Sequence, residues 1–149
     1  MDNLSFDNRE GFIWYNGNLI EWKNANVHVL NHGLHYASCV FEGERAYRGK
    51  IFETEKHTKR LFNSARSLDM EIPFSQKEIL EAKDILLEKN SLLDAYVRPV
   101  VWRGSEMMAV SAQKTKINVA IAVWEWPSYF DPEQKMQGIK LDIAKWRRP

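Results

Sequence analysis

Two residues of the stretch AYVRP, Tyr96 and Arg98, pose the first chemical question. Residues two apart on a strand share a face, so the phenol and the guanidinium point the same way as Val100 and Trp102. An arginine facing apolar neighbours is costly unless it is paired. One partner would be an acid of the chain itself, giving a structural ion pair. The other would be a substrate carboxylate, gripped by the guanidinium fork with the tyrosine hydroxyl as a second donor. Arg60 is another cation to weigh, one turn from His57 on an amphipathic segment. Taken alone, an arginine there is a solvated surface residue. The chain carries no Walker pattern and no GxGxxG, so any phosphate must be held by isolated side chains and a helix N-terminus.

The stretch NHGLHYASCVFEGERAY, residues 31–47, gathers rings and ionisable groups around Gly33 and Gly43 and reads as a pocket wall. His32 and His35 are one helical turn apart. Without a third ligand at useful spacing, local hydrogen bonding is the expected role and no metal site is predicted. Cys39 has no base beside it and is expected to be a small buried residue. Glu42 and Glu44 share one side of a strand, which suits a solvated face. Trp124, Trp126 and Tyr129 form an aromatic cluster that either packs a core or walls a ligand cleft.

Composition narrows the class. The 149 residues are 44% hydrophobic and 28% charged, as in ordinary globular proteins. A formal charge of +1 provides no field for nucleic acid or an anionic membrane. No apolar run reaches the roughly 20 residues of a membrane span. The start, MDNLSFDNREGF, is unlike a targeting peptide. A single cysteine excludes an internal disulfide and makes a reducing cytoplasm the expected compartment.

The elements that must position these groups follow from local signals. FIWYNGNLIEW predicts a hairpin turning at Asn16-Gly17. Cys39–Phe41 and Arg45–Tyr47 read as one strand interrupted at Gly43, followed by a turn and a short return strand. A helix capped by Thr54 carries Leu61, Ala65 and Leu68 and ends before Pro73. Ser75 and Glu78 form a capping box for a second helix, with Ile79, Ala82 and Leu86 on one face and a stop near Asn90. Ala95–Trp102 and Ile117–Trp124 are nearly all apolar and predict central strands. Pro99 moves the first toward an edge or a bulge. The fold class is α/β (α+β): a mainly antiparallel sheet with two helices over residues 1–125. A polar linker spans 126–138, and the alternation of Ile139, Leu141 and Ile143 predicts the first strand of a second domain over 139–149.

With these residues in view, the chain resembles the branched-chain amino acid aminotransferases, fold-type IV pyridoxal phosphate enzymes of the D-amino-acid-aminotransferase-like group. The resemblance runs through IWYNGNLIEW, VHVLNHGLHYASCVFEGERAY, HTKRLFNSA, AYVRPVVWRG and IAVWEWPSYF, and the HGLHY…VFEG…Y element is its most specific part. It implies pyridoxal 5'-phosphate as cofactor, with Arg60 on the phosphate. It implies Tyr96 at the substrate α-carboxylate and Arg98 at the distal carboxylate of glutamate. Phe41 and Gly43 would floor a pocket for a branched side chain, lined further by Trp126 and Tyr129. Tyr36 and Val110 would reach across the interface of a homodimer or higher homo-oligomer. The implied substrates are leucine, isoleucine, valine, glutamate and the matching 2-oxo acids.

In that family a lysine forms a Schiff base with the cofactor and shuttles the proton. The resemblance places it after the segment LDIAKWRRP, and Lys145 is not its counterpart. The 149 residues alone are therefore expected to be inactive. Glu106–Ala109 departs from the family pattern, which has a glycine next to the valine at Val110. D-amino acid aminotransferases and aminodeoxychorismate lyases of the same group are the alternative, as is a non-catalytic dimerisation module. Tyr96-Val97-Arg98 with Phe41-Glu42-Gly43 favours the branched-chain type.

Overall fold

The computed structural model describes residues 5–126, 132–138 and 140–147. Strands β1 (Phe12–Tyr15) and β2 (Asn18–Glu21) form the expected hairpin. Asn16 and Gly17 sit at φ 47° and 92°, both in the left-handed region that a type I′ turn requires. Asn16 then ties the turn to the neighbouring strand, its side-chain carbonyl accepting from the Val119 amide at 2.8 Å.

A 3-10 turn at Trp22–Asn24 and an exposed loop lead to the short helix α1 (His32–Tyr36), whose first turn is capped by the Asn31 side chain. Next come β3 (Cys39–Phe41), β4 (Glu44–Tyr47) and β5 (Lys50–Ile51). Two long helices follow, α2 (Thr54–Ser67) and α3 (Gln76–Lys89), then β6 (Ala95–Arg103) and β7 (Ile117–Trp124). The seven strands form one sheet in the order β2-β1-β7-β6-β4-β5, with β3 also paired to β6. Every pairing is antiparallel.

Alternation along the two long strands decides the layers. In β7, Val119, Ile121 and Val123 are buried while Ala120, Ala122 and Trp124 are half-buried on the other face. In β6, Val97 and Val101 join the buried side. Against that side pack Leu61 and Ala65 of α2 and Ile79, Ala82 and Leu86 of α3, all essentially without solvent contact. Both helices therefore cover one face, and Tyr96, Arg98 and Val100 remain on the other.

Several expectations need correction. Pro99 does not put β6 at an edge or on a bulge: β6 is central, between β7 and the β3/β4 line. The ladder opposite Pro99 is where β3 gives way to β4, and only the Glu42 amide donates there, to the Pro99 carbonyl at 3.0 Å. A proline fits a central strand because its missing N–H faces the interruption. Thr54 does not cap α2. Glu53 holds that place at φ 52° without a side-chain cap bond, and Thr54 is the first helical residue. The capping box at Ser75 and Glu78 forms as expected.

Within the segment expected to be a linker lies a short helix, α4 (Pro132–Gln137). Residues 140–147 form no strand, and Leu141, Ile143 and Trp146 are exposed. Alternation alone does not make a strand where no neighbouring edge offers hydrogen bonds. Among the described residues, no helix is long and apolar enough to cross a membrane.

Candidate active site

The open face of the sheet is shaped by side-chain size across the β6–β7 register. Tyr96 lies opposite Trp124, Arg98 opposite Ala122, and Val100 opposite Ala120. The two alanines leave a trough of about 530 Å³, with Tyr15, Val27, Leu34 and Arg98 among its walls. Its lining is mostly apolar, with Arg98, Asn31 and Tyr15 among its polar side chains. Cys39 also lies on this wall and is exposed, contrary to the expected buried role, because β3 presents it to the uncovered face.

Tyr96 and Arg98 share a face as predicted, and they touch: Arg98 Nη2 donates to the Tyr96 hydroxyl at 3.0 Å. The guanidinium also lies over the Phe41 ring, 4.2 Å from its centroid. No acid of the chain pairs with Arg98 among the described residues, and its buried Nε has no hydrogen-bond partner there. Of the two readings for this arginine, the internal ion pair is thus not formed among the described residues. The Tyr96 ring stacks on Trp126 with centroids 4.6 Å apart and leans on Trp124 at 4.9 Å. Aromatic walls of this kind hold the hydroxyl in place and keep its surroundings dry. Tyr129, the third member of the expected cluster, lies outside the described residues.

Gly43 is required by that hydroxyl. A Cβ built on Gly43 would stand 2.2 Å from the Tyr96 Oη. One side of the segment Phe41–Glu42–Gly43 therefore meets the Tyr96–Arg98 pair through the Phe41 ring and the bare Gly43 backbone. Its middle residue turns the other way, toward α2.

Contrary to the solvated face that its spacing predicts, Glu42 is only 4% exposed. Its Oε1 accepts from Arg60 Nε at 2.6 Å, and its Oε2 accepts from Arg60 Nη2 at 2.7 Å and from His57 Nδ1 at 2.8 Å. Burial alone would push the Glu42 carboxyl up. The hydrogen bonds and charges of Arg60 and His57 outweigh it and hold the group below the usual carboxylate range. The Arg60 guanidinium is raised in turn by its hydrogen bonds to Glu42. Arg60 Nη1 has no hydrogen bond among the described residues, and the side chain is largely exposed. An oriented, outward-facing guanidinium edge fits a phosphate monoester, so Arg60 is the residue that would hold one.

Glu44 is likewise buried, and faces Lys83 of α3 with the nitrogen 2.6 Å from Oε1. Both side chains are 0% exposed. Lys83 also donates to the Thr58 and Thr54 hydroxyls at 2.7 and 3.2 Å. Desolvation lowers the Lys83 ammonium from its usual range, and Glu44 draws it back up. Sequence reasoning missed this pair. Its one signal is a lysine on the same helical face as Ile79, Ala82 and Leu86.

His32 and His35 take the local roles expected of them. His35 Nε2 bonds the Val29 carbonyl at 2.9 Å. His32 is buried between the Ser38 hydroxyl at 2.6 Å and the Ala109 carbonyl at 2.9 Å, with Tyr36 stacked on its ring. It therefore fastens α1 to the loop 104–116, beside exposed Val110. Arg103 holds the same loop from below through the Ala112 carbonyl at 2.9 Å. Tyr36 and Val110 are solvent-exposed and contact neither Tyr96 nor Arg98 in any hydrogen bond or ring pair.

The chain is similar to proteins of known family. The branched-chain-amino-acid aminotransferase of Pseudomonas aeruginosa is 45% identical over 149 residues, covering 97% of this chain and 48% of the relative. The chain thus spans about half the length of the curated relatives it matches. The Escherichia coli branched-chain amino acid aminotransferase structure superposes with a TM-score of 0.83 at 34% identity, covering 95% of this chain and 46% of that one. The branched-chain aminotransferase of the thermophilic archaeon Thermoproteus uzoniensis, solved with norvaline, gives a TM-score of 0.76 at 28% identity, with 81% and 42% covered. The family model described as amino-transferase class IV matches residues 39–149, which include Glu42, Arg60, Tyr96 and Arg98. The chain belongs to the class IV aminotransferase family.

Proposed function

We propose that this chain supplies the substrate-recognition side of a pyridoxal-phosphate-dependent branched-chain aminotransferase, a cytoplasmic homodimer or higher homo-oligomer. The reaction would exchange an amino group between leucine, isoleucine or valine and 2-oxoglutarate. One observation carries the reading: a guanidinium and a phenol hydroxyl joined at 3.0 Å on an uncovered sheet face, among aromatic rings and without a carboxylate partner from the described residues. A donor pair of that kind suits a carboxylate ligand.

Each residue then has a physical task. Arg98 receives the distal carboxylate of glutamate, and Tyr96 donates to the α-carboxylate. Phe41, Trp126 and Tyr129 exclude water and accept the aliphatic side chain of leucine, isoleucine or valine. Gly43 leaves room for the Tyr96 hydroxyl. Arg60 holds the cofactor phosphate. When bound, pyridoxal 5'-phosphate supplies the electron sink that acidifies the substrate Cα–H. Tyr36 and Val110 are presented outward, as residues lent to a neighbouring subunit must be. Residues 126–138 serve as the linker between the sheet domain, 1–125, and the start of a larger domain from 139.

Lys145, exposed in a segment without regular structure, is not assigned the attaching role, since the resemblance gives it no counterpart there. Turnover of leucine with 2-oxoglutarate is expected only from a protein that also supplies the attaching lysine, and turnover by residues 1–149 alone would refute that division. In the complete enzyme, Arg98→Ala is expected to lower kcat/KM for glutamate roughly thirtyfold or more, and that for leucine far less. Equal losses on both substrates would overturn the assignment of Arg98.

A further inference from the structure

We propose that Glu42 is a positioning residue, which sets the Arg60 guanidinium as a preformed grip for a phosphate monoester. The inference rests on the reading above, in which Arg60 meets the cofactor phosphate. It adds the residue that makes an exposed arginine on a helix competent to do so.

The two neighbouring acids, Glu42 and Glu44, each pair with a cation on a helix. The Lys83–Glu44 pair is closed to solvent on both sides, as a pair with only a packing role would be. The Arg60–Glu42 pair is lopsided: the carboxylate is 4% exposed and the arginine side chain 66%. The anchor is buried and the cation is presented.

The anchoring is also two-pronged. Arg60 Nε and Nη2 each engage a different carboxylate oxygen, which fixes the plane of the guanidinium as well as its position. An arginine left to itself would sample many rotamers and lose that freedom on binding. Here the loss is met at folding, before any ligand arrives. His57 takes the remaining lone pair of Oε2, so the carboxylate cannot swing away from Arg60.

The backbone of Glu42 links this grip to the strand that carries Arg98. Its amide donates to the Pro99 carbonyl, the residue after Arg98. Its neighbours Phe41 and Gly43 meet Arg98 and Tyr96. Three consecutive residues thus hold the phosphate grip and the carboxylate donors in one frame. The spacing between the Arg60 guanidinium and the Tyr96–Arg98 pair is then tied to one three-residue backbone segment, rather than to two independent side chains.

The test uses the 149-residue chain with pyridoxine 5'-phosphate and pyridoxine, two probes that differ in the phosphate and carry no aldehyde to react with lysines. Wild type is expected to prefer the phosphate-bearing probe. Glu42→Gln is expected to reduce that preference about tenfold and leave pyridoxine binding unchanged. In an Arg60→Ala background the same substitution should have no further effect. A merely electrostatic role gives the opposite sign, since removing a negative charge would tighten phosphate binding. Unchanged or tighter binding overturns the proposal, and so does an equal loss on both probes. Should Glu42→Gln fail to fold, the Arg60 Nε–H resonance in ligand-free wild type decides the matter: slow exchange with solvent is expected, and fast exchange overturns it. A wild type without phosphate preference would instead defeat the assignment of Arg60 itself, which separates the two failures.

Discussion

Glu42 shows how one side chain couples stability to pH. Its carboxyl is held below the usual range in the folded chain, because hydrogen bonds from Arg60 and His57 outweigh desolvation. The unfolded chain therefore binds more protons in the acid region. The stability this group contributes is fully present above the ordinary carboxylate pKa and is lost as pH falls through the lowered folded value. Urea unfolding followed across that window should show stability falling with acid, with a shallower slope in Glu42→Gln. An identical slope in the variant would exclude this account. Gly43→Ala forces its methyl into the Tyr96 hydroxyl, and that ring cannot retreat because Trp126 and Trp124 flank it. A loss of about 1–3 kcal/mol is expected. Tyr96→Phe in the same chain removes the obstructing oxygen and should restore most of it. Failure of that rescue would show that the clash is not the cause.

Between elements, the Lys83–Glu44 contact joins α3 to β4 across the buried side of the sheet. Removing one partner strands the other charge without solvent, so Lys83→Met or Glu44→Leu alone is expected to cost about 3–5 kcal/mol. Replacing both, as Lys83→Met with Glu44→Leu, should be close to neutral, because the desolvation cost disappears with the attraction. Denaturant midpoints of the two single variants and the double variant check this, and additive losses would contradict it. The same pair marks where sequence reasoning stops. Alternation correctly put Glu42 and Glu44 on one side of their strand, and Tyr96 with Arg98 on one side of theirs. It could not tell which side the helices would cover, since that depends on how α2 and α3 dock. Short-range signals fared better: the Asn16-Gly17 turn and the Ser75–Glu78 box each specify their own geometry within four residues. Thr54 failed as a cap because Glu53 took that place in a left-handed conformation. Pro99 misled because its tolerance at the sheet centre depends on a break in a strand some fifty residues away in the chain.

Over the whole molecule, the sheet is asymmetric, and that asymmetry dictates where stability and function reside. One face is sealed by α2 and α3 with the buried residues that hold the fold together. The other carries the apolar trough, the Tyr96–Arg98 pair and the loop 104–116, with no helix of comparable length over it among the described residues. Stability follows density of buried contacts, and exposed backbone opens first. Amide hydrogen exchange should therefore divide the chain into three levels. The amides of β6, β7, α2 and α3 should open only with global unfolding, since β6 is paired on both sides and both helices close on its buried face. Loop 104–116 should exchange at an intermediate rate, being fastened at few points, chiefly by His32 at Ala109 and Arg103 at Ala112. Residues 140–147, exposed and without a ladder, should exchange nearly as fast as an unstructured peptide. His32→Ala then isolates the middle level: it should speed exchange in the loop and leave β6 and the helices as they were. Faster exchange in β6 as well would mean that the loop and the sheet open as one unit, and that the site-bearing face shares the stability of the sealed one.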